Sequence, residues 1–434
     1  MNPSQQELLQ FVKENDVKFI RLAFCDLMGT QKNIAIMAEE LPRAFEYGIS
    51  FDASAITGYG TVECSDLFLV PDCSTVAILP WRPESGRVVR MFCQVRRPNG
   101  EIFEGDPRSI LQQAVQRAAS MQYLCRIGTE CEFYLLKTDG GRPLLDPIDY
   151  GSYADVAPLD EGENIRREIC LTLEALGMRP ESSHHERGAG QNEIDFRYSD
   201  ALTAADSFLT FKWVVKLVAA RHGYFASFLP KPFFEDSGNG MHINLSLAKG
   251  GKNLFQTGKE HNLSAESFIQ GILDQAAAIT AFLNPINNSY CRLGCFEAPR
   301  FVTWSHQNRS QLVRIPASSG EYSRMELRSA DPICNPYLAF ALLIHAGLDG
   351  VEQKKQLCKP CNRNLYQVSI DEGLPLLPRD LREAIDVARS SEFVQKVLPE
   401  SVRTQFFNRQ EALWQRYGTG KQWKEEIAAY LPYC

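Results

Sequence analysis

Four short stretches of this 434-residue chain place acids, an imidazole and guanidinium groups at every second position. GTECEFYLL carries Glu130 and Glu132, and QNEIDFRY carries Glu193 and Asp195. GMHINLSL alternates His242, Asn244 and Ser246 with Ile243, Leu245 and Leu247, and SRMELRSAD alternates Arg324, Glu326 and Arg328 with Met325 and Leu327. Successive side chains of a strand point to opposite faces, so each stretch reads as a strand with one polar and one apolar face. A half-exposed antiparallel sheet explains any one of them. Four together do not resemble a solvent face, which draws on Lys, Thr, Ser and Gln, because all but two of the polar positions hold an acid, a histidine or an arginine. Carboxylates that converge must be neutralised, and divalent cations with oxygen ligands do this. One histidine among acids suits magnesium or manganese and argues against a thiolate zinc site. The arginines suit a carboxylate or phosphate, which the guanidinium fork binds bidentately.

Further arginines follow in CRLGCFEAPRFVTWSHQNRSQLVRIP, where Arg292, Arg309 and Arg314 accompany the isolated acid Glu297. Such a concentration points to an anion whose charge changes during reaction, and phosphoryl transfer fits. The chain has no G-x-x-x-x-G-K-[ST] loop: YGTGK at 417–421 lacks the first glycine and the following hydroxyl residue, so it reads as a helix end or turn. The densest cluster is SHHERGAGQNEIDFRY, from Ser183 to Tyr198, with two histidines, two glutamates, an aspartate and two arginines.

The elements that must position these groups have recognisable signals. VKFIRLAFCDLMGTQKNIAI gives two β-prone runs around a turn at Asp26 to Gly29, and STVAILPWRPESGRVVRMFCQVRRPNGEIFEG adds strands with turn signals at Ser85-Gly86 and Asn99-Gly100. The pattern changes at GDPRSILQQAVQRAA, where Asp106 caps a helix whose first position is Pro107. A small β-rich domain over 1–105 and a larger domain over 106–434 are therefore expected. In the second, helices are expected at GENIRREICLTLEALG, ending at Gly177, at DALTAADSFLTFKWVVKLVAARHG, ending at Gly223, and from Asn335-Pro336 onward. Short strands lie between them without regular βαβ alternation, which predicts an α+β fold.

Bulk properties narrow the partners. A formal charge of −7 without blocks of like charge excludes an obvious nucleic-acid groove or anionic membrane surface, and no apolar run approaches a membrane span. Small-molecule substrates and a cytoplasmic location are expected. Thirteen scattered cysteines suit reduced thiols, and Cys358-Lys-Pro-Cys361, lacking a second ligand pair, reads as a loop.

Over nearly its full length the chain resembles the glutamine synthetase family of the bacterial class I type. The likeness is carried by FDASAITGYGTVECSDLFLVPD, GTECEF, SHHERGAGQNEIDFRYSDALTAAD, KPFFEDSGNGMHINLSL, NSYCRL, EAPRFVTWSHQNRS and RMELRSADPICNPYLAFALLIHAGLDG, in the family's order. It implies an N-terminal β-grasp domain, a catalytic domain with a curved antiparallel sheet, and a dodecamer of two hexameric rings with active sites between neighbouring subunits. It implies one Mg2+ or Mn2+ on Glu132, Glu186 and Glu193 and a second on Glu130, His242 and Glu326. Arg292, Arg328 and Gly238 would meet glutamate. Glu181, Tyr198, Ser246 and Arg324 would meet ATP, and Arg309 and Arg314 the transferring phosphoryl group. Glu297 would sit on a closing flap. Asp52 from the adjacent subunit would help bind ammonium and remove its proton, in a pocket shared with Glu186, Glu297 and Tyr153. The implied reaction makes γ-glutamyl phosphate and then glutamine. His184 and His185 are expected to be structural, and Tyr366, near the place where some relatives are modified, is expected to be an ordinary loop residue.

Departures from that pattern bear on the nucleophile. FDASAI has Ala55 where a serine is usual, Cys64 replaces a glutamate, and RLGCFE is one residue shorter than the usual flap. Asn244 replaces a histidine, Ser237 an asparagine, and Glu321 stands where a lysine is common. Ammonia is the expected nucleophile, with a polyamine or other primary amine as the alternative and a non-catalytic nitrogen sensor as a third reading.

Overall fold

In the computed structural model, residues 4–256, 262–368, 373–418 and 422–434 are described. Gly418 closes a π-helical turn that begins at Trp414, and the rest of the GTGK stretch lies outside the described residues. Two short helices, α1 (Gln5–Glu14) and α2 (Leu41–Glu46), accompany a six-stranded N-terminal sheet. Its strands are β1 (Val17–Cys25), β2 (Gln31–Met37), β3 (Ile49–Asp52), β4 (Asp66–Pro71), β5 (Ala77–Ile78) and β6 (Arg87–Arg96). They run in the order β2-β1-β6-β4-β3, with β5 on β6. β1 and β6 are parallel neighbours and the other pairs antiparallel, the β-grasp arrangement. One face buries Ile20, Leu22, Leu69, Val89 and Met91 in a core of its own.

Asp106 then caps α3 (Pro107–Ser120), accepting from the Arg108 N–H. Beyond it lies an eleven-stranded sheet organised on one long strand, β7 (Leu124–Asp139). The chain continues through β8 (Arg142–Pro147), α4 (Glu163–Ala175), β9 (Pro180–His185), β10 (Gln191–Phe196), β11 (Ser199–Asp200), α5 (Ala201–Arg221), β12 (Phe225–Ser227), β13 (Met241–Lys249) and β14 (Lys252–Asn253). After α6 (Leu263–Leu283) and α7 (Asn287–Arg292) come β15 (Trp304–His306), β16 (Val313–Ile315) and β17 (Met325–Leu327). Helices α8 (Pro336–Glu352), α9 (Leu381–Ser390), α10 (Glu392–Val397), α11 (Glu400–Leu413) and α12 (Trp423–Tyr430) close the chain. The main path of the sheet is β15-β16-β17-β13-β7-β10-β9, and it curls into a half barrel.

The helix signals in the sequence act as expected. Asp200 accepts from the Thr203 N–H to cap α5, Asn335 accepts from the Tyr337 N–H to cap α8, and Gly177 and Gly223 follow α4 and α5 with positive φ. The outer face of the sheet carries Ile127, Cys131, Ile194, Ile243, Leu245 and Leu327, all buried in a core shared with α5, α6 and α8. Both faces of β13 are buried, so its polar face does not meet solvent as in an ordinary half-exposed strand. Its polar residues are covered because they point into the site.

Candidate active site

Strand register assembles the site. Residues directly opposite on paired strands share a face, and here His242 faces Glu130, Asp195 also faces Glu130, and Glu193 faces Glu132. Asn244 and Arg314 both pair with Glu326. One row of acids, imidazole and guanidinium groups therefore crosses β10, β7, β13, β17 and β16 on the inner face.

Three groups of three in and beside that row have ligand atoms within 4.8 Å of one another: the triads Glu130, His242 and Glu326, and Glu132, Glu186 and Glu193, and a further set of His184, Glu193 and Asp195 that shares Glu193. The two triads have the same members as the two sets the sequence resemblance implied. The donor sets fit hard divalent cations, being carboxylate oxygens with a single imidazole. The electrostatics of the second set fit as well. Burial, reinforced by the charges of Asp195, Glu132 and Glu186, pushes the Glu193 carboxyl far above the usual range, and burial with Glu297 and Asp195 raises Glu186 to about 7. Asp195 Oδ1 is buried without a hydrogen-bond partner, and burial with the charge of Glu130 raises its carboxyl too.

The first triad is different. Burial raises Glu130, but the hydrogen bond and charge of His242, with Asn244 and Arg324, overcome it and hold the carboxyl at about 2. His242 Nδ1 lies 3.3 Å from Glu130 and 3.7 Å from Glu326. Glu326, fully buried, accepts from Arg314 Nη1 at 2.6 Å and from Arg328. The Nε atoms of Arg314 and Arg328 are buried with no partner, donors that a carboxylate or phosphate would complete.

Two glycines set the close approaches. Gly190 has φ +67°, and a Cβ there would lie 2.8 Å from Pro147 Cβ, so the Glu186–Glu193 hairpin turns back only with glycine at this point. A Cβ on Gly240 would collide with Arg292 Nη2, and the Gly240 N–H donates to Glu132 at 2.5 Å. Arg292 is buried and donates to the carbonyls of Ser329, Ala330 and Arg328. The Gly238 carbonyl accepts from Gln191 Nε2 at 3.2 Å.

Glu132, Glu186, Gly238, Arg292, Arg328 and Glu297 line one narrow cavity of about 30 Å3, roofed by the loop 293–299. Tyr153 is exposed, with its ring 5.3 Å from that of His184. On the other side of the row, Tyr198 donates to Glu321 at 2.8 Å and lies under the Arg126 guanidinium. Arg324 donates to Asn244 at 2.7 Å, and Ser246 pairs in register with Arg126. Glu181 lines a separate cavity of about 280 Å3 with Arg197 and Tyr322. Arg309 is exposed, and Asp52 sits at the end of β3 with its carboxylate accepting from the Ser54 N–H and hydroxyl. Asp52 is thus not brought to the triads by its own chain's hydrogen bonds.

The sequence reading took His184 and His185 as structural and did not single out Asp149 or Asp160. His184 is not turned away from the chemistry: its ring nitrogens lie 3.5 Å from Glu186 and 3.7 Å from Glu193. His185 points to the opposite side, where Asp149 Oδ1 accepts from its Nε2 at 2.9 Å and the Glu186 carbonyl from its Nδ1 at 2.6 Å. Asp149, Asp160 and His185 also approach one another within 4.8 Å. That group is a hydrogen-bonded support and not an open cation site: Asp149 accepts from the N–H groups of Gly151, Glu161 and Gly190, and Asp160 pairs with Arg166. The period-two rule places His184 with Glu186 on one face and would have found the first of these. Cys358 and Cys361 lie in a loop against Trp304, and all thirteen cysteines are unpaired.

Comparison with known proteins agrees with this architecture. The family description "Glutamine synthetase, beta-Grasp domain" matches residues 16–98, and "Glutamine synthetase, catalytic domain" matches 104–427. The chain is 46% identical to a glutamine synthetase of Methanosarcina mazei over 95% of each chain, and 44% identical to one of Clostridium saccharobutylicum over 99% of this chain and 98% of that one. Among solved structures it is similar to a GmaS/ADP complex, with a TM-score of 0.88 and 31% identity over 98% of this chain and 99% of the other. Both domains, in order and over almost the whole length, show that the chain belongs to the glutamine synthetase family, the ATP-dependent ligases that join ammonia to glutamate.

Proposed function

We propose that this chain makes glutamine from glutamate, ammonia and ATP through γ-glutamyl phosphate, with the residues of the inner sheet face in the roles their positions suggest. The observation that carries the reading is the row of two acid triads with four arginines at its ends: Arg292, Arg314, Arg324 and Arg328. Glu132, Glu186 and Glu193 would hold one Mg2+ or Mn2+, and Glu130, His242 and Glu326 another. Bound there, the cations supply neutralisation and alignment of the phosphates and the γ-carboxylate. Arg292, Arg328 and the Gly238 backbone hold glutamate. Tyr198, Glu181, Ser246 and Arg324 form the nucleotide side, and Arg309 and Arg314 face the phosphoryl group as its charge grows.

The loop carrying Glu297 lines this narrow cavity, so its movement would admit glutamate and close the site again before ammonia attacks. Asp52, exposed and bonded locally, is suited to serve a neighbour's site, where with Glu186, Glu297 and Tyr153 it would attract ammonium and take its proton. That role supports a ring assembly, and we favour a dodecamer. Division of the chain near residue 105 is supported by the separate N-terminal core and by the cap at Asp106. Among the described residues no helix is long and apolar enough to cross a membrane. We favour the cytoplasm as the location, with no nucleic-acid or membrane partner.

The test is phosphate release from ATP with glutamate and magnesium, offering ammonium, methylamine, ethanolamine or putrescine in turn. Ammonium is expected to give the highest kcat/KM. Preference for a larger amine would replace ammonia as nucleophile, and no glutamate-dependent release with any amine would leave the sensor reading.

A further inference from the structure

The loop that roofs the glutamate cavity is tied down at two points by residues without a place in the reaction so far. Arg187, in the hairpin between β9 and β10, has two contacts. Its backbone N–H donates to Glu186 Oε2 at 3.0 Å, and its guanidinium pairs with Glu297 Oε1 at 2.8 Å. The side chain therefore reaches from the floor of the cavity to its roof. From the other flank the Tyr366 hydroxyl lies 2.8 Å from both the Glu297 carbonyl and the Arg309 carbonyl, able to donate to one at a time, and Arg328 lies beside the same hydroxyl. Between these points Phe296 takes φ +51° and lays its ring 4.0 Å from the ammonium of the buried Lys231. The roof is thus a strained turn held by side chains from three other segments.

We propose that Arg187 and Tyr366 form a two-point latch that closes the 293–299 loop over the site and keeps water from the activated carboxyl. This rests on the ligase reading above and names the residues that regulate its site. Both partners of the ion pair are half-exposed, with side-chain exposures of 57% and 50%, so the pair can open for glutamate and re-form over it. The guanidinium also neutralises the Glu297 carboxylate on the roof. When the latch is open, water reaches the γ-carbonyl of the acyl phosphate in place of ammonia. The bond from carbonyl carbon to phosphate oxygen breaks, glutamate and phosphate leave, and ADP accumulates without amide. Arg187 and Tyr366 are positioning residues, since they act through the loop and not on the reacting atoms.

The measurement is phosphate released per glutamine formed at saturating ammonium, for wild type, Arg187→Ala, Arg187→Lys and Tyr366→Phe. Wild type is expected near one phosphate per amide. Arg187→Ala should raise the ratio roughly threefold, the span an exposed ion pair allows. Arg187→Lys should return most of the way, and Tyr366→Phe should raise the ratio too. High salt should raise it in wild type and leave Arg187→Ala unchanged, because the screened pair is already absent there. A structural role alone would lower amide and phosphate together, and a ratio in Arg187→Ala equal to wild type overturns the latch. The two readings separate cleanly: wild type without glutamate-dependent phosphate release overturns the ligase reading, whereas active wild type with unchanged variants overturns only the latch.

Discussion

The two triads share one sheet face and one strand, β7, yet they are opposite electrostatic objects. Glu130 and Glu326 lie among His242, Asn244, Arg314, Arg324 and Arg328, which balance them. Glu132, Glu186 and Glu193 have Asp195 and Glu297 as further acids nearby, and His184, the N–H groups of Gly240 and Arg187 and the charges of His242, Arg292 and Arg309 offset them only in part, since all three carboxyls stay raised. The first triad is a completed ion network that can also bind a cation. The second is folded in spite of its charge and is relieved only by protons or a cation. The two proposed cation sites would then be unequally poised: one is held in shape by arginines, and the other would gain most from being filled.

That contrast is most severely tested by neutralising one acid at each end. Glu326→Gln leaves Arg314 and Arg328 buried without their carboxylate. Removing one partner of a buried pair costs about 3–5 kcal/mol, so the cation-free chain should unfold at markedly lower urea, with activity lost as well. Glu186→Gln should do the reverse to stability. Its carboxyl is raised from 4.5 to about 7, and one pKa unit is about 1.4 kcal/mol, so at pH 8 without cations the amide should stabilise the chain by up to about 3 kcal/mol while activity falls at least about a hundredfold. Equal destabilisation by both substitutions would erase the distinction between the triads.

The same difference sets opposite pH dependences. Glu186 binds its proton more tightly folded than unfolded, so its contribution to stability is greatest below the unfolded value near 4.5 and is lost as pH rises toward 7. Glu130 binds its proton less tightly when folded, so its contribution is complete above the unfolded value and is lost as pH falls toward 2. With EDTA the urea midpoint should therefore decline from pH 5 to pH 8. Magnesium or manganese should abolish that decline and release protons on binding, measurable by calorimetry in buffers of different ionisation enthalpy. A flat EDTA profile would mean that the second triad carries no surplus charge.

How much of this was legible in the sequence follows from what alternation can and cannot report. The period-two pattern put Glu130 with Glu132, Glu193 with Asp195, and His242 with Asn244, and all of these line the inner face. The caps Asp106, Asp200 and Asn335 marked their helices because a cap is a local, short-range device. Alternation does not say which strands adjoin, so the long pivot β7, the burial of both faces of β13 and the joining of the two triads on one row came only with the register. The division into triads was readable through family likeness alone. Nothing in sequence spacing links Arg187 to Glu297, 110 residues apart, or Tyr366 to the carbonyl of Arg309, since both contacts are made by loops. Helices α9 and α10 carry the same local signals, Asp380 and Ser391 accepting from the Glu383 and Val394 N–H groups, and the sequence reading passed over them.

The compensated end of the row extends toward the nucleotide side through Arg324, which donates to Asn244 and lies 3.7 Å from Glu130. Beyond it stands a further acid, Glu321, which accepts from Tyr198 and pairs with Arg197 at 3.6 Å. Under the proposed nucleotide roles its carboxylate would repel a triphosphate, and it occupies the Tyr198 hydroxyl. It is 55% exposed, so solvent screens most of that effect. Glu321→Ala should therefore lower KM for ATP about twofold to threefold at low salt and leave kcat unchanged, since the interaction is lost equally from ground and transition states. High salt should erase the difference. A fall in kcat instead would mean that Glu321 holds Tyr198 in place for the reaction, and the balance of charge at this end of the row would then reach into the chemistry itself.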